Sequence, residues 1–266
     1  MMKRIAIIYV LLIIMLQWSV TVSAYDFEVD GIYYNIVSES ELKVEVTYDK
    51  IYNSNSNPFY KCFYYGDISI PSSVNYNGKT YQVTKIGNYA FATTGTSSSY
   101  EEPEKYLKSI QLPQTIANIG QYAFYNCQSL KSITLPKQLK YIQSHAFESC
   151  PLIDLSLPEL LQRVDEYAFK DCKMTSLVIP KNVKVLNYQA LPTTLREVVM
   201  LPNVPPEIGT RFSSYTRYYG GSSTTEIMVT SKTAYEAIRV NGYKIVEMLT
   251  PDSYELIYTG KAPSVS

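Results

Sequence analysis

One short phrase recurs along this chain and limits what the chain can fold into. The copies IGNYAF, IGQYAF, IQSHAF and VDEYAF end at Phe91, Phe124, Phe147 and Phe169, and a degenerate copy, LNYQAL, ends at Leu191. The successive spacings are 33, 23, 22 and 22 residues, and the first of these is one 23-residue repeat plus a 10-residue insertion within the polar stretch ATTGTSSSYEEPEK. No single repeat of this length can bury its apolar side, whereas stacked repeats share one core. The period therefore predicts a solenoid.

A second phrase precedes each copy of the first. LKSIQLP, LKSITLP, LIDLSLP and MTSLVIP begin at Leu107, Leu130, Leu152 and Met174, and ISIP at Ile68 opens the series. LREVVMLP, from Leu195, is a stretched relative. Apolar residues alternate with other residues in each copy, which is strand periodicity, and a proline ends the run where a lost amide donor costs little. We therefore predict one strand in each coil, stacked into a parallel sheet.

Together the two phrases give the pattern LxxIxLPxxVxxIGxxAFxxC, which resembles the BspA-type leucine-rich repeat. The resemblance covers roughly residues 67–206, and those residues are predicted to be the repeat domain. It implies a β-rich leucine-rich-repeat solenoid in a secreted or cell-surface protein of Bacteroides-like bacteria, acting by adhesion or protein–protein interaction. The resemblance does not supply a ligand.

The two ends of the chain carry different signals. Lys3 and Arg4, an apolar run over residues 5–16 and the small residues of VSA predict a signal peptide over residues 1–24, cleaved before Tyr25. Asp30-Gly31 and Asn77-Gly78 are hairpin turn signals, and residues 25–66 are predicted to be an amino-terminal β cap. Residues 207–250 resemble a small α/β carboxyl-terminal cap with strand, helix and strand, followed by a tail over residues 251–266. We expect an exported protein that is secreted or held at the cell surface.

The cysteines of the repeats occupy one repeat position and should form a column. They are Cys127, Cys150 and Cys172, spaced by 23 and 22 residues. Side chains in a parallel ladder keep their Cβ atoms nearly as far apart as the strands, about 4.8 Å, which strains a disulfide. A tetrahedral zinc site needs ligands that converge, and a parallel row does not supply them. We predict a buried structural column without a metal, and Cys62 lies apart from it.

The sequence offers little material for catalysis. His145 is the only histidine and fills the position held by Tyr89, Tyr122 and Tyr167 in sister repeats, so it is predicted to be a packing residue. No phosphate-binding glycine loop or metal-ligand spacing is present in the sequence. The chain has 24 basic and 24 acidic residues without a basic run, which argues against nucleic acid as a partner. We expect no catalytic residues, no cofactor and a monomer.

Two surfaces remain as binding candidates. The first is the outward side of the predicted strands, here called the strand face: Ser109, Gln111, Ser132, Thr134, Asp154, Ser156, Ser176, Val178, Glu197 and Val199. Solenoids use such surfaces for binding, although small polar residues also simply keep an exposed sheet soluble. The second is a tyrosine-rich segment with Tyr215, Tyr218 and Tyr219, where aromatic rings could anchor a partner or cover the edge of the core.

These observations predict a non-catalytic binding protein, with an extracellular protein or glycan as its partner. Adhesion to a host or microbial surface protein is the first interpretation. A glycan-binding surface protein, or a scaffold subunit of an extracellular complex, is the alternative, and the tyrosine-rich segment would serve glycan binding.

Overall fold

The computed structural model describes residues 25–49, 51–54, 57–60, 64–93, 107–187, 189–195, 197–201, 207–208, 226–229 and 244–248. Every regular element within these residues is a strand. The predicted signal peptide, most of the inserted loop, Cys62, the helix of the carboxyl-terminal cap and the tail lie outside the described residues.

The amino-terminal part is built from hairpins at the predicted turns. Its strands are β1 Phe27–Val29, β2 Ile32–Ser38, β3 Lys43–Thr47, β4 Ile51–Ser54, β5 Asn57–Tyr60, β6 Gly66–Ser69, β7 Ser73–Tyr76 and β8 Lys79–Ile86. β1 pairs antiparallel with β2 through Asp30-Gly31, and β7 pairs antiparallel with β8 through Asn77-Gly78. All four turn residues have positive φ, which is the geometry that the tightest hairpins require and that glycine and asparagine adopt at low cost. β3 then pairs in parallel with β8 and joins these hairpins to the repeats.

The repeats contribute the remaining strands, several of which are only two residues long. They are β9 Leu107–Gln111, β10 Asn118–Ile119, β11 Tyr141–Ile142, β12 Arg163–Val164, β13 Ser176–Ile179, β14 Val185–Leu186, β15 Glu197–Met200, β16 Glu207–Ile208, β17 Glu226–Val229 and β18 Lys244–Met248. Among the described residues they form three groups: the short strands extend the sheet of β1, β2, β3 and β8; β6 pairs with β9; and β13, β15, β17 and β18 form a four-stranded sheet.

The longest sheet passes through the solenoid at a position where no strand was predicted. β8, β10, β11, β12, β14 and β16 pair in parallel with the register Ile86, Ile119, Ile142, Val164, Leu186 and Ile208. The first four of these side chains are fully buried, at 0% exposure. We call this run of short strands the bridge ladder. It joins every coil to the next through the residues just before the Ala-Phe phrase.

The predicted strand in each coil forms only in part. β6, β9, β13 and β15 lie where the LxxIxLP phrase predicts them, but residues 131–135 and 153–157 form no strand, so that prediction is wrong in the two central coils. Isolated backbone bonds remain there, from Ile153 N to Lys131 O at 3.3 Å and from Lys173 N to Leu152 O at 2.8 Å. Alternating side chains report which side of an extended segment is buried, not whether the neighbouring backbone lies within hydrogen-bond distance.

The core is a stack of identical side chains. Phe91, Phe124, Phe147 and Phe169 are each 0% exposed. Their rings stack nearly parallel, with centroids 5.0–5.4 Å apart and interplanar angles of at most 7°. Offset stacking at this distance is favourable beyond the burial of area alone. The phenylalanine column is therefore the interior line along which the coils are stacked.

Candidate binding face

The strand face is exposed over its first three coils. Ser109 and Gln111 on β9 are exposed, and so are Ser132 and Thr134 in the next coil and Asp154 and Ser156 in the third. The intervening residues Ile110 and Ile133 are buried, and Leu155 is half-buried. The segments 131–135 and 153–157 therefore present the predicted side chains outward, although they are not laddered strands.

Few of these side chains are used inside the molecule. Ser109 Oγ donates to Asp67 Oδ1 at 2.6 Å, and Ser69 Oγ donates to Gln111 Oε1 at 3.4 Å, so β6 belongs to the same face. Ser132, Thr134, Asp154 and Ser156 make no side-chain hydrogen bond or ion pair within the part of the chain that the structure describes. Their donors and acceptors are available to a partner.

Toward the carboxyl-terminal end, the residues predicted for the strand face are no longer exposed, and here the prediction needs correction. Ser176 and Val178 on β13 are half-buried, and Val199 on β15 is only 1% exposed, so the prediction that Val199 faces solvent is wrong. Val199 pairs with Val178 on one side and Met228 of β17 on the other, in the interior of a parallel sheet. Strands inside parallel sheets are commonly covered on both faces, and Val198 is buried as well. For Glu197 the structure describes the backbone but not the side chain.

Sequence reasoning missed one residue of this face. Ile153 is 56% exposed and lies beside Asp154, at the repeat position that Lys108 and Lys131 hold in the two preceding coils and Thr175 holds in the next. A single exposed apolar residue on a protein surface is ordinary. An isoleucine in a column of lysine and threonine is nevertheless a departure that aligning the repeats would have shown. It places an exposed apolar side chain next to Asp154 and beside Lys131 of the preceding coil, whose carbonyl accepts from Ile153 N at 3.3 Å.

The side of the coils that carries the turns of the Ala-Phe phrase, here called the turn side, lies opposite the strand face. Its aromatic side chains contact one another from coil to coil. Tyr89, Tyr122, His145 and Tyr167 form a second stack, with ring centroids 4.3–4.9 Å apart. Their φ angles are positive, between 56° and 61°, a left-handed conformation that bulky residues adopt only when the surroundings impose it. The position is thus fixed by packing between coils.

His145 belongs to this stack and to a small charge cluster. Its Nδ1 contacts Glu148 Oε2, and Lys170 Nζ donates to Glu148 Oε1 at 2.6 Å. Glu148 is 7% exposed, and its hydrogen bond to Lys170 raises the pKa of the lysine. The buried carboxylate is thereby shared between two partners of this chain. This arrangement links His145 and Glu148 of one coil to Lys170 of the next.

The cysteine column is built of thiols at carbonyl groups. Cys127, Cys150 and Cys172 are at most 1% exposed, and each Sγ donates to the carbonyl oxygen of a column phenylalanine in the preceding coil, at 3.1, 2.9 and 3.3 Å. Burial, and secondarily the neighbouring Cys150, raises the pKa of the Cys172 thiol far above its usual range. A thiol that stays protonated at neutral pH is a poor nucleophile and a poor metal ligand.

Other candidate sites are few in the described residues. They contain no cluster of three or more His, Cys, Asp or Glu side chains arranged to hold a metal ion. Nor do they include a helix with the length and apolarity needed to cross a bilayer. Tyr215, Tyr218 and Tyr219 lie outside the described residues, so the structure says nothing of the tyrosine-rich segment.

Coils stacked through a Leu-x-x-Ile-x-Leu segment around a continuous apolar core define a leucine-rich-repeat protein. Residues 96–216 match the BspA type leucine rich repeat region in six copies. The repeats within residues 96–216 are therefore of the BspA leucine-rich type.

Solved structures support the same fold. A leucine-rich repeat protein from Bacteroides ovatus superimposes with a TM-score of 0.56 at 27% identity, covering 86% of this chain but only 54% of that protein. The present chain thus spans about half the length of that relative. The Treponema pallidum (T. pallidum) leucine rich repeat protein superimposes with a TM-score of 0.53 at 22% identity, over 83% of this chain and 97% of that one, which shows likeness of fold alone. No curated protein matches the chain in sequence.

Proposed function

We propose that this protein is a non-catalytic binding protein that acts outside the cytoplasm and captures a protein ligand on its strand face. The observation that carries the proposal is the row Ser132, Thr134, Asp154 and Ser156, exposed and unused within the described residues, with Ile153 beside it. Leucine-rich-repeat proteins of this type are generally protein-binding surface proteins. Adhesion to a host or microbial surface protein is the role that this arrangement would serve.

The chemistry of the face suits a protein partner. Its exposed groups are hydroxyls, an amide, the carboxylates of Asp67 and Asp154 and one apolar side chain, and Lys108 and Lys131 are exposed at the position of Ile153 in the preceding coils. Interface centres combine an apolar anchor with polar groups that can pair with a partner. A protein surface with hydrogen-bonding groups around an apolar pocket is the complementary partner.

The test is a binding panel of extracellular-matrix proteins and glycans. It is probed with the exported chain, which begins at Tyr25 after removal of the predicted signal peptide, and with its Ile153→Lys variant. The variant restores the lysine of the preceding coils, so the fold should tolerate it. We expect a protein ligand to be bound about tenfold or more weakly, the loss typical of a hot-spot residue. Val37→Lys is the matched control, since Val37 is exposed to 53% on β2 in the amino-terminal hairpins.

Either of two results would contradict the proposal. The first is protein binding that both lysine variants leave unchanged. The second is binding confined to glycans and insensitive to Ile153→Lys, which would point to the glycan alternative.

A further inference from the structure

Strand β6 lies at an open edge of the strand face. It pairs with β9 alone among the described strands, and just after its end Ile70 N donates to Gln111 O at 3.0 Å. Successive peptide groups of an extended strand point to alternate sides. The N–H and C=O groups of Asp67 and Ser69 therefore point away from β9, out of the edge of the sheet.

These main-chain groups are not used by the fold. Asp67 and Ser69 are exposed, and within the residues that the structure describes their outward backbone atoms bond to no other segment. Edge strands offer such donors and acceptors to other chains, and proteins usually block them with lysine, proline or a covering segment. The sequence of β6, GDIS, contains neither lysine nor proline. Its edge is therefore able to accept a further strand.

An open groove lies along this edge. Its volume is ≈ 530 Å³, and three consecutive residues of β6, Asp67, Ile68 and Ser69, line it. Val29 and Asp30 of the β1–β2 hairpin line it as well. Paired strands lie about 4.7–4.9 Å apart, so a strand added to β6 would occupy this groove. The hairpin thus leaves the edge accessible.

The edge and the groove together select an extended peptide. N–H and C=O groups repeated at strand spacing are matched by another extended backbone, which is the contact that strand addition uses. The described lining of the groove includes Asp30 and Asp67 but no lysine, arginine or histidine, so a basic side chain suits it. β6 is also continuous with the proposed interface, because Ser109 Oγ donates to Asp67 Oδ1 and Ser69 Oγ donates to Gln111 Oε1.

We propose that β6 pairs with an extended, lysine-bearing segment of the protein partner, which thereby adds a strand to the strand face. The source of this segment rests on the proposed function. The main-chain bonds to Asp67 and Ser69 supply affinity, and the acidic groove selects a basic side chain on the incoming segment. The partner then covers the edge of β6 and the exposed side chains of the following coils in one footprint.

The experiment titrates the exported chain with the peptide acetyl-Lys-Val-Thr-Val-Lys-amide and follows hydrogen exchange at the Asp67 and Ser69 amides by NMR. We expect saturable binding that slows exchange at these two amides. Ser69→Pro removes one donor of the edge without removing a hydrogen bond of the fold, and it should weaken binding by about tenfold or more. Ser69→Ala keeps the backbone donor and is the matched control, expected to bind within about twofold of the parent.

Two peptide analogues keep the test decisive even if Ser69→Pro does not fold. Methylation of every peptide nitrogen should abolish binding, because the main-chain donors of the peptide are lost. Glutamine in place of both lysines should weaken binding by about two- to fivefold, the effect of an exposed ion pair.

The proposal is overturned if the peptide does not bind or if either analogue binds as tightly as the peptide itself. It is also overturned if sedimentation shows a dimer of the chain that Ser69→Pro dissociates, since a second copy would then occupy the edge. Peptide binding at β6, together with partner binding that Ile153→Lys leaves unchanged, would refute the strand-face function and spare the edge. Partner binding that depends on Ile153 but does not slow exchange at Asp67 and Ser69 would do the reverse.

Discussion

The turn side and the strand side of the same coils are held together in different ways. On the turn side, Phe124 N donates to Ala146 O and Phe147 N to Ala168 O, each at 2.8 Å, and the bridge ladder runs alongside. On the strand side, the two central coils have isolated backbone bonds and no laddered strand. Cohesion between coils is concentrated on the turn side.

This difference separates stability from recognition. The turn side imposes left-handed backbone at residues such as Tyr122 and His145, which costs about 1–3 kcal/mol each. Ring stacking stabilises the fold by about 0.5–1.5 kcal/mol per pair, and the hydrogen bonds between coils offset the remaining conformational cost. Side chains there cannot change freely. Over its first three coils the strand face makes few contacts and can change to suit a ligand without loss of fold.

The largest effect should come from the phenylalanine column. Phe124→Ala would leave a cavity between the rings of Phe91 and Phe147 and should lower the free energy of unfolding by about 3–5 kcal/mol. Denaturant unfolding followed by tyrosine fluorescence or circular dichroism measures the loss. Val37→Ala, at an exposed position of β2, should cost little. A Phe124→Ala variant as stable as the parent would show that the phenylalanine column does not hold the coils together.

A smaller but substantial effect is expected at Gly120. A Cβ at this position would lie 2.7 Å from the backbone carbon of Gly87 and 2.6 Å from Asn88 Oδ1 in the preceding coil. Gly120→Ala should therefore push two coils apart and cost about 1–3 kcal/mol, as overpacking does. The next coil carries Gln143 at the same repeat position, and Gln143→Ala is the control, with an expected loss of about 0.5–1 kcal/mol because Gln143 Oε1 accepts from Gln121 N at 3.2 Å. Equal losses in the two variants would show that the coils are not in tight contact at Gly120.

The repeat predicted the stack, but not the way in which its backbone is bonded. Phe91, Phe124, Phe147 and Phe169 recur with one period, and identical residues at one period must stack if the chain is a solenoid. The bridge ladder could not be read in the same way. Apart from β8, its strands are two residues long, as in Asn118–Ile119, too short to show an alternation.

The candidate site was predicted in position and missed in detail. Polar residues between apolar ones located Ser132, Thr134, Asp154 and Ser156 on the surface. The burial of Val199 depends on β17, which follows β15 at a distance along the chain, so no local pattern could report it. Local patterns predict which way a side chain faces within its own segment, and contacts between distant segments decide what covers it.

The smallest effect should come from the strand face and tests the comparison most finely. Thr134 is exposed and unbonded within the described residues, whereas Thr115 Oγ1 donates to the carbonyl of Val83 at 2.6 Å. Thr134→Ala should change the free energy of unfolding by less than about 0.5 kcal/mol, and Thr115→Ala should lower it by about 1 kcal/mol through one lost hydrogen bond. Paired chemical denaturation of the two variants measures the difference. If Thr134→Ala costs as much as Thr115→Ala, the strand face supports the fold after all. In that case its polar residues need no ligand to account for them.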